Sequence, residues 1–262
     1  IGSGERVFAF FDEDERLYYV IPMGDRSVIG TTDTRVDEPT TTVTDEDREF
    51  LLRQINGRLD LDKPLTAGDV IAERCGVRPL VVDASSNHEE SDWLQLSRKH
   101  EIEIDHSRSV VSIFGGKLTD CLNVGEEVLD AVSQLGISAN KLDDSWFGEP
   151  PAADFDRFHA RVNANGEVDD DTAELLWRRY GRRANFVLDR VIADPALAEI
   201  MWEDPRYIKA EIVEIGEYEM VARVEDFLRR RTSLSLTEHG EELEDRIAEI
   251  SELLGIAPAA SV

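Results

Sequence analysis

The hydrophobic pattern changes period once along this chain, and that change constrains the fold more than any other feature. Up to about residue 114 apolar residues fall in short runs or alternate with polar ones; beyond about residue 150 they recur every three or four. A period of two suits strands with one buried face, and a period near 3.6 suits helices. Val7 to Phe11, Leu17 to Pro22 and Ser27 to Thr31 read as strands, parted by Asp12-Glu13-Asp14-Glu15 and Gly24-Asp25. A helix follows, with Thr44 as N-cap, Asp47 three residues on, and Phe50, Leu51, Ile55 and Leu59 as its apolar stripe. His100 to Ile104 alternates, Val110 to Phe114 is a buried-type run, and Lys117 to Leu135 reads as a helix after Gly115-Gly116.

Between Gly136 and Pro151 the pattern dissolves into Ser, Asn, Asp, Gly and Pro, which marks a domain boundary. Everything beyond it reads as helical. Leu175 and Leu176 belong to one helix that stops near Gly181, and Phe186, Leu188, Val191 and Ile192 to the next. Asp194-Pro195 and Asp204-Pro205 look like N-cap-plus-proline helix starts. Ile208, Ile212, Ile215, Val221, Val224 and Leu228, then Leu243, Ile247, Ile250 and Leu254, continue at helical spacing. The expected class is therefore α+β: a mixed segment over residues 1–136, then a small all-α domain over residues 150–262.

Charge excludes several functions. Acidic residues number 56 against 29 basic ones, a net charge of −27, so phosphate backbones and anionic lipid surfaces repel the chain and nucleic acid is not an expected partner. The acid is spread over clusters such as Asp169-Asp170-Asp171 and Glu241-Glu242-Leu243-Glu244, which read as solvated faces or helix starts; none has the glycine-containing spacing of a calcium loop. The two cysteines, Cys75 and Cys121, imply no disulfide framework, and the five histidines show no metal-ligand spacing, so no metal is expected. No apolar run approaches the roughly 18 residues of a membrane span. The opening Ile1-Gly2-Ser3-Gly4, without an initiator Met, is expected to be a fragment boundary. Gly2-Ser3-Gly4 is not a dinucleotide fingerprint: no strand precedes it, Val7 takes the third glycine's place, and strand-like sequence follows.

Three segments carry chemistry. Ile29-Gly30-Thr31-Thr32-Asp33-Thr34 places hydroxyls and a carboxylate at a strand end, where they can bind a ligand or cap a turn. Arg78, in Gly76-Val77-Arg78-Pro79-Leu80, sits inside an apolar run, where a guanidinium needs an anion: a ligand held by its two-pronged fork, or a structural carboxylate. In Phe114-Gly115-Gly116-Lys117-Leu118-Thr119 a strand ends, two glycines allow close approach, and a helix begins beside a lysine. That arrangement favours negative charge, or is a plain glycine turn with a solvent lysine.

Taken together and in order, these segments resemble the later part of FAD-dependent glycerol-3-phosphate dehydrogenase. Ile21-Pro22 leading to Gly30-Thr31-Thr32-Asp33-Thr34 is similar to that family's "IP…GTTDT", Gly76 to Leu80 to its "GVRPL", and Gly115 to Thr119, with Glu126 and Val128 behind, to its "GGKLTT…AEDVVD". Arg179-Tyr180-Gly181 with Ala184 resembles "RYG..A", and Tyr207 to Glu211, Tyr218 to Met220 and Glu225 to Thr232 resemble "YI.AE…HEMA.TLEDVLARRT". Asp120-Cys121 departs from the family's Thr-Tyr, which puts a carboxylate where negative charge is unhelpful, so Asp120 is expected to face away.

The resemblance implies a substrate cap with an antiparallel sheet over residues 1–113, a last strand–turn–helix of the FAD domain over 114–135, and the C-terminal helical domain, with most of the nucleotide-binding half absent. The implied reaction oxidises sn-glycerol 3-phosphate to dihydroxyacetone phosphate by hydride transfer to FAD, with electrons passing to quinone. By the same resemblance Arg78 contacts substrate, with Thr32 and Asp33 beside it, while Gly115, Gly116, Lys117, Leu118 and Thr119 line the flavin and Lys117 shares the catalytic role with Arg78. A cytoplasmic location follows, with room for peripheral contact at the inner face of the cell membrane and for a homodimer. Two rival readings share these motifs: an oxidase that uses O2, and a non-catalytic folding or assembly module.

Overall fold

The computed structural model describes residues 6–12, 17–34, 36–77, 100–138 and 150–256. By spatial contact the chain divides into two compact units, Ile1–Cys75 with Phe147–Val262, and Gly76–Trp146. The sequence boundary expected between 136 and 150 thus adjoins the end of the second unit, while the cap strands group with the helical domain.

In the first unit β1 (Phe8–Phe11), β2 (Leu17–Met23) and β3 (Arg26–Gly30) form an antiparallel sheet in that order. Alternation puts Phe8, Phe10, Tyr18, Val20 and Ile29 on one face, where they pack with Ile55 and Leu59. Ile55 belongs to α1 (Asp45–Arg58), which starts where expected: the Thr44 hydroxyl accepts from the Asp47 backbone N–H at 3.2 Å, and the Asp47 carboxylate accepts from the Thr44 N–H at 3.3 Å. At the β2–β3 turn, a Cβ on Gly24 would stand 2.3 Å from the Asp204 carboxylate, which accepts from the Asp25 N–H at 3.2 Å. Only a residue without a side chain lets this hairpin tip meet the C-terminal segment so closely.

The C-terminal segment contains α3 (Ala152–Asn165), α4 (Asp170–Tyr180) and α5 (Ala184–Ala193) around Phe158, Val162, Leu176, Leu188 and Val191. It is not all-α. β6 (Ile200–Glu203) and β7 (Arg206–Ile208) form a small antiparallel hairpin, and Asp204-Pro205, expected to start a helix, makes its turn. The reason is packing: Met201, Trp202, Tyr207 and Ile208 are all buried, and a two-residue turn between two such short runs suits a hairpin. Asp194-Pro195 does open a helical turn, of 3-10 type, with the Asp194 carboxylate accepting from the Ala196 N–H. α6 (Lys209–Tyr218), α7 (Val224–Asp226) running into a π-turn, α8 (Leu234–Thr237) and α9 (Gly240–Leu254) enclose Ile212, Ile215, Phe227, Leu234 and Ile250.

The family-like motifs of this segment turn out to hold each other. Arg179 donates to Glu211 at 2.8 Å and lies 3.9 Å above the Tyr207 ring, while Glu211 also accepts from the Ile208 N–H at 2.9 Å and so caps α6. Glu211 is 1% exposed; burial pushes its carboxyl upward, and Arg179 opposes that shift. Breaking such a buried pair costs about 3–5 kcal/mol, because the remaining charge has no water to turn to. Glu214 is bound in the same way by Arg183 at 3.1 Å and Arg190 at 2.9 Å.

The second unit is a hairpin of β4 (Glu101–Asp105) and β5 (Val110–Phe114) followed by α2 (Cys121–Gln134). This is the strand–turn–helix anticipated from the sequence.

Candidate active site

β5 ends at Phe114, and the chain then reverses through Gly115 at φ 67° and Gly116 at φ 89°, a region that disfavours any residue with a Cβ. Lys117 is extended, and a 3-10 turn over Leu118–Asp120 leads into α2. Neither Lys117 nor Asp120 caps this end with its own side chain; the Asp120 and Cys121 N–H groups bond back to the Lys117 and Leu118 carbonyls. Lys117 and Thr119 are exposed and Leu118 is 91% exposed, with Phe114, Ile113 and Leu122 also open to solvent. Positive-φ glycines, a helix start, one lysine and exposed apolar side chains therefore lie within the short segment 113–122, the kinds of group that an anionic edge on a flat apolar body asks for.

The Asp120 carboxylate is committed elsewhere. Its Oδ2 lies 3.1 Å from His100 Nδ1, and its Oδ1 accepts from Asn123 Nδ2 at 2.6 Å. Nε2 of His100 is 3.0 Å from Glu127 Oε2, though off the line required for a hydrogen bond. Sequence reasoning had no means of finding this cluster, because His100 reads only as the first polar residue of an alternating strand.

The hydroxyl segment after β3 is tied to α1. Thr34 donates to Asp47 Oδ1 at 3.4 Å, and the Thr32 side chain bonds the same carboxylate. Thr44, first, and then these threonines hold the Asp47 carboxyl below its ordinary range. Thr32 and Thr34 thus brace the end of β3 against the Asp47 carboxylate, and Asp33 between them is half-buried. Thr32 and Asp33 belong to the first unit and Gly115 to Thr119 to the second. Arg78 lies outside the described residues. Among the described residues no group of three or more His, Cys, Asp or Glu side chains could hold a metal ion, and no helix is long and apolar enough to cross a membrane.

Two family models match in tandem: "FAD dependent oxidoreductase" over residues 2–114 and "C-terminal domain of alpha-glycerophosphate oxidase" over residues 149–255. The chain thus combines parts of an FAD dependent oxidoreductase with the C-terminal domain of alpha-glycerophosphate oxidase, and over most of its length it is similar to glycerol-3-phosphate dehydrogenases. It is 30% identical over 244 residues to the aerobic glycerol-3-phosphate dehydrogenase of Staphylococcus saprophyticus, covering 87% of this chain and 42% of that protein. Glycerol-3-phosphate dehydrogenase 2 of Mycobacterium tuberculosis is 29% identical over 231 residues, 85% of this chain and 38% of its own length. The mitochondrial glycerol-3-phosphate dehydrogenase of Mus musculus is 27% identical over 249 residues, 92% of this chain and 33% of its own length. The chain therefore spans between a third and somewhat over two-fifths of these family members.

Proposed function

We propose that the chain is the substrate-cap and C-terminal part of a flavoprotein that oxidises sn-glycerol 3-phosphate to dihydroxyacetone phosphate. The observation that carries this reading is the open Gly115-Gly116-Lys117 turn at the head of α2, in a chain whose relatives bear the glycerol-3-phosphate dehydrogenase name. FAD, when bound, supplies the hydride-accepting group. Lys117 and the amides from Gly115 to Thr119 stabilise negative charge at the cofactor's edge, and Leu118 excludes water from it. Arg78 holds substrate oxygens through its guanidinium fork, which a lysine would not reproduce, and Thr32 and Asp33 contribute polar contacts at the end of β3.

In this reading a quinone takes the electrons, and the protein works in the cytoplasm at the inner membrane face, as a monomer or a homodimer. The oxidase name carried by the C-terminal family model favours O2 as the rival acceptor. One experiment tests both parts. Anaerobic sn-glycerol 3-phosphate should bleach the flavin of the complete protein, and re-oxidation should be fast with a quinone and yield little peroxide with O2. A flavin left oxidised under substrate would overturn the proposed reaction, while stoichiometric peroxide would reassign the acceptor.

A further inference from the structure

His100, 4% exposed, lies at the start of β4 and touches the glycine turn and α2 together. A Cβ placed on Gly116 would stand 3.1 Å from the His100 Cβ, so the stem of this side chain forms the floor on which the turn rests. Its ring reaches Asp120 at 3.1 Å and Glu127 at 3.0 Å. Asp120 and Glu127 are two helical turns apart, so both fall on the helix face turned to the hairpin.

We infer that His100 is the positioning residue of the Gly115–Thr119 turn: hydrogen-bonded to Asp120, beside Glu127 and packed under Gly116, it fixes where the head of α2 begins and hence where Lys117 and the turn amides point. The inference rests on the flavin reading above for its functional consequence, but its structural part stands apart from it. A positive-φ glycine has several paths open to it, and among the described residues it is His100 that the Gly116 path rests against. With it, donors and charge are held in place before any ligand arrives, which is what electrostatic stabilisation requires.

Amide hydrogen exchange of the 262-residue chain tests the clamp directly. His100→Leu should speed exchange at Asp120 and Cys121, whose N–H groups bond back to the Lys117 and Leu118 carbonyls, by about tenfold or more, the scale of one lost charge-assisted hydrogen bond, while the bonded amides of the β4–β5 hairpin stay protected. His100→Asn, which keeps a donor near the Nδ1 position, should restore part of the protection. In the complete flavoprotein the same leucine variant should still bind FAD, shift the flavin's reduction potential and lower kcat without raising KM. Should His100→Leu fail to fold, Asp120→Asn is read by the same criteria. Unchanged exchange at the turn overturns the inference, and so does faster exchange with an unchanged potential. If the unmodified complete protein binds no flavin, the functional reading fails and the exchange data alone decide the clamp.

Discussion

Lys117 stands where backbone geometry and side-chain charge favour the same ligand charge. It follows two positive-φ glycines, its side chain caps nothing, and it leads into α2. A unit charge a few ångströms from a partly solvated anion is worth about 1–4 kcal/mol. For a two-electron couple that corresponds to a few tens of millivolts. In the complete flavoprotein Lys117→Met should therefore lower the flavin's reduction potential by about 30 mV or more, read by spectroelectrochemical titration. An unchanged potential would make Lys117 a solvent lysine. At this scale the sequence was informative about Lys117, because a lysine between a Gly-Gly pair and a helix start is a local arrangement. Asp120 was legible only as an anomaly, since its partner His100 is twenty positions away and joins it through the fold.

Elements were legible wherever their signals are local. Thr44 and Asp47 make the capping box their spacing implies, and Glu101 to Asp105 alternates as a strand whose register is set by its hairpin. That hairpin turns on Asp105, whose carboxylate accepts from the Ser107 hydroxyl at 2.6 Å, from Arg108 Nε at 2.6 Å and from the Ser107 and Arg108 N–H groups. The Ser107 hydroxyl, then Arg108, hold the carboxyl at about 2, below the ordinary 3.8. Because the folded value is depressed, the turn's contribution is fully present above about pH 4 and is lost as pH falls through about 2. Carboxyl-carbon NMR should show Asp105 titrating near that lower value, and a midpoint at the ordinary one would mean that these bonds do not persist in solution. The β6–β7 hairpin escaped because Asp-Pro is common to helix starts and to turns. What decides between them is that Met201, Trp202, Tyr207 and Ile208 find partners in the core.

For the whole molecule, cofactor affinity is the property most open to test. In dinucleotide-binding folds much of it comes from a pyrophosphate on a glycine-rich helix N-terminus and a ribose on an acidic side chain. Gly2-Ser3-Gly4 is followed by the strand β1 and not by a helix, and in the reading proposed above the Gly115–Thr119 turn addresses only the flavin's ring end. The 262-residue chain by itself should purify colourless and leave sn-glycerol 3-phosphate unoxidised. Flavin absorbance that co-purifies with it would contradict this and would assign pyrophosphate binding to residues outside the motifs discussed.

Local pattern, read from the sequence alone, determined the α+β class, most strand and helix positions, and the family resemblance, because each depends on near neighbours or on ordered motifs. Tertiary structure alone decided which motifs serve as scaffold. Arg179 and Glu211 are 32 positions apart and meet as a pair, and Thr32 and Thr34 bond the Asp47 carboxylate of α1. Gly24 exists to admit Asp204. His100 acquires a role only when β4 lies against α2. Each of these is a contact between distant segments, and a one-dimensional pattern records the residues of such a contact without recording that they touch.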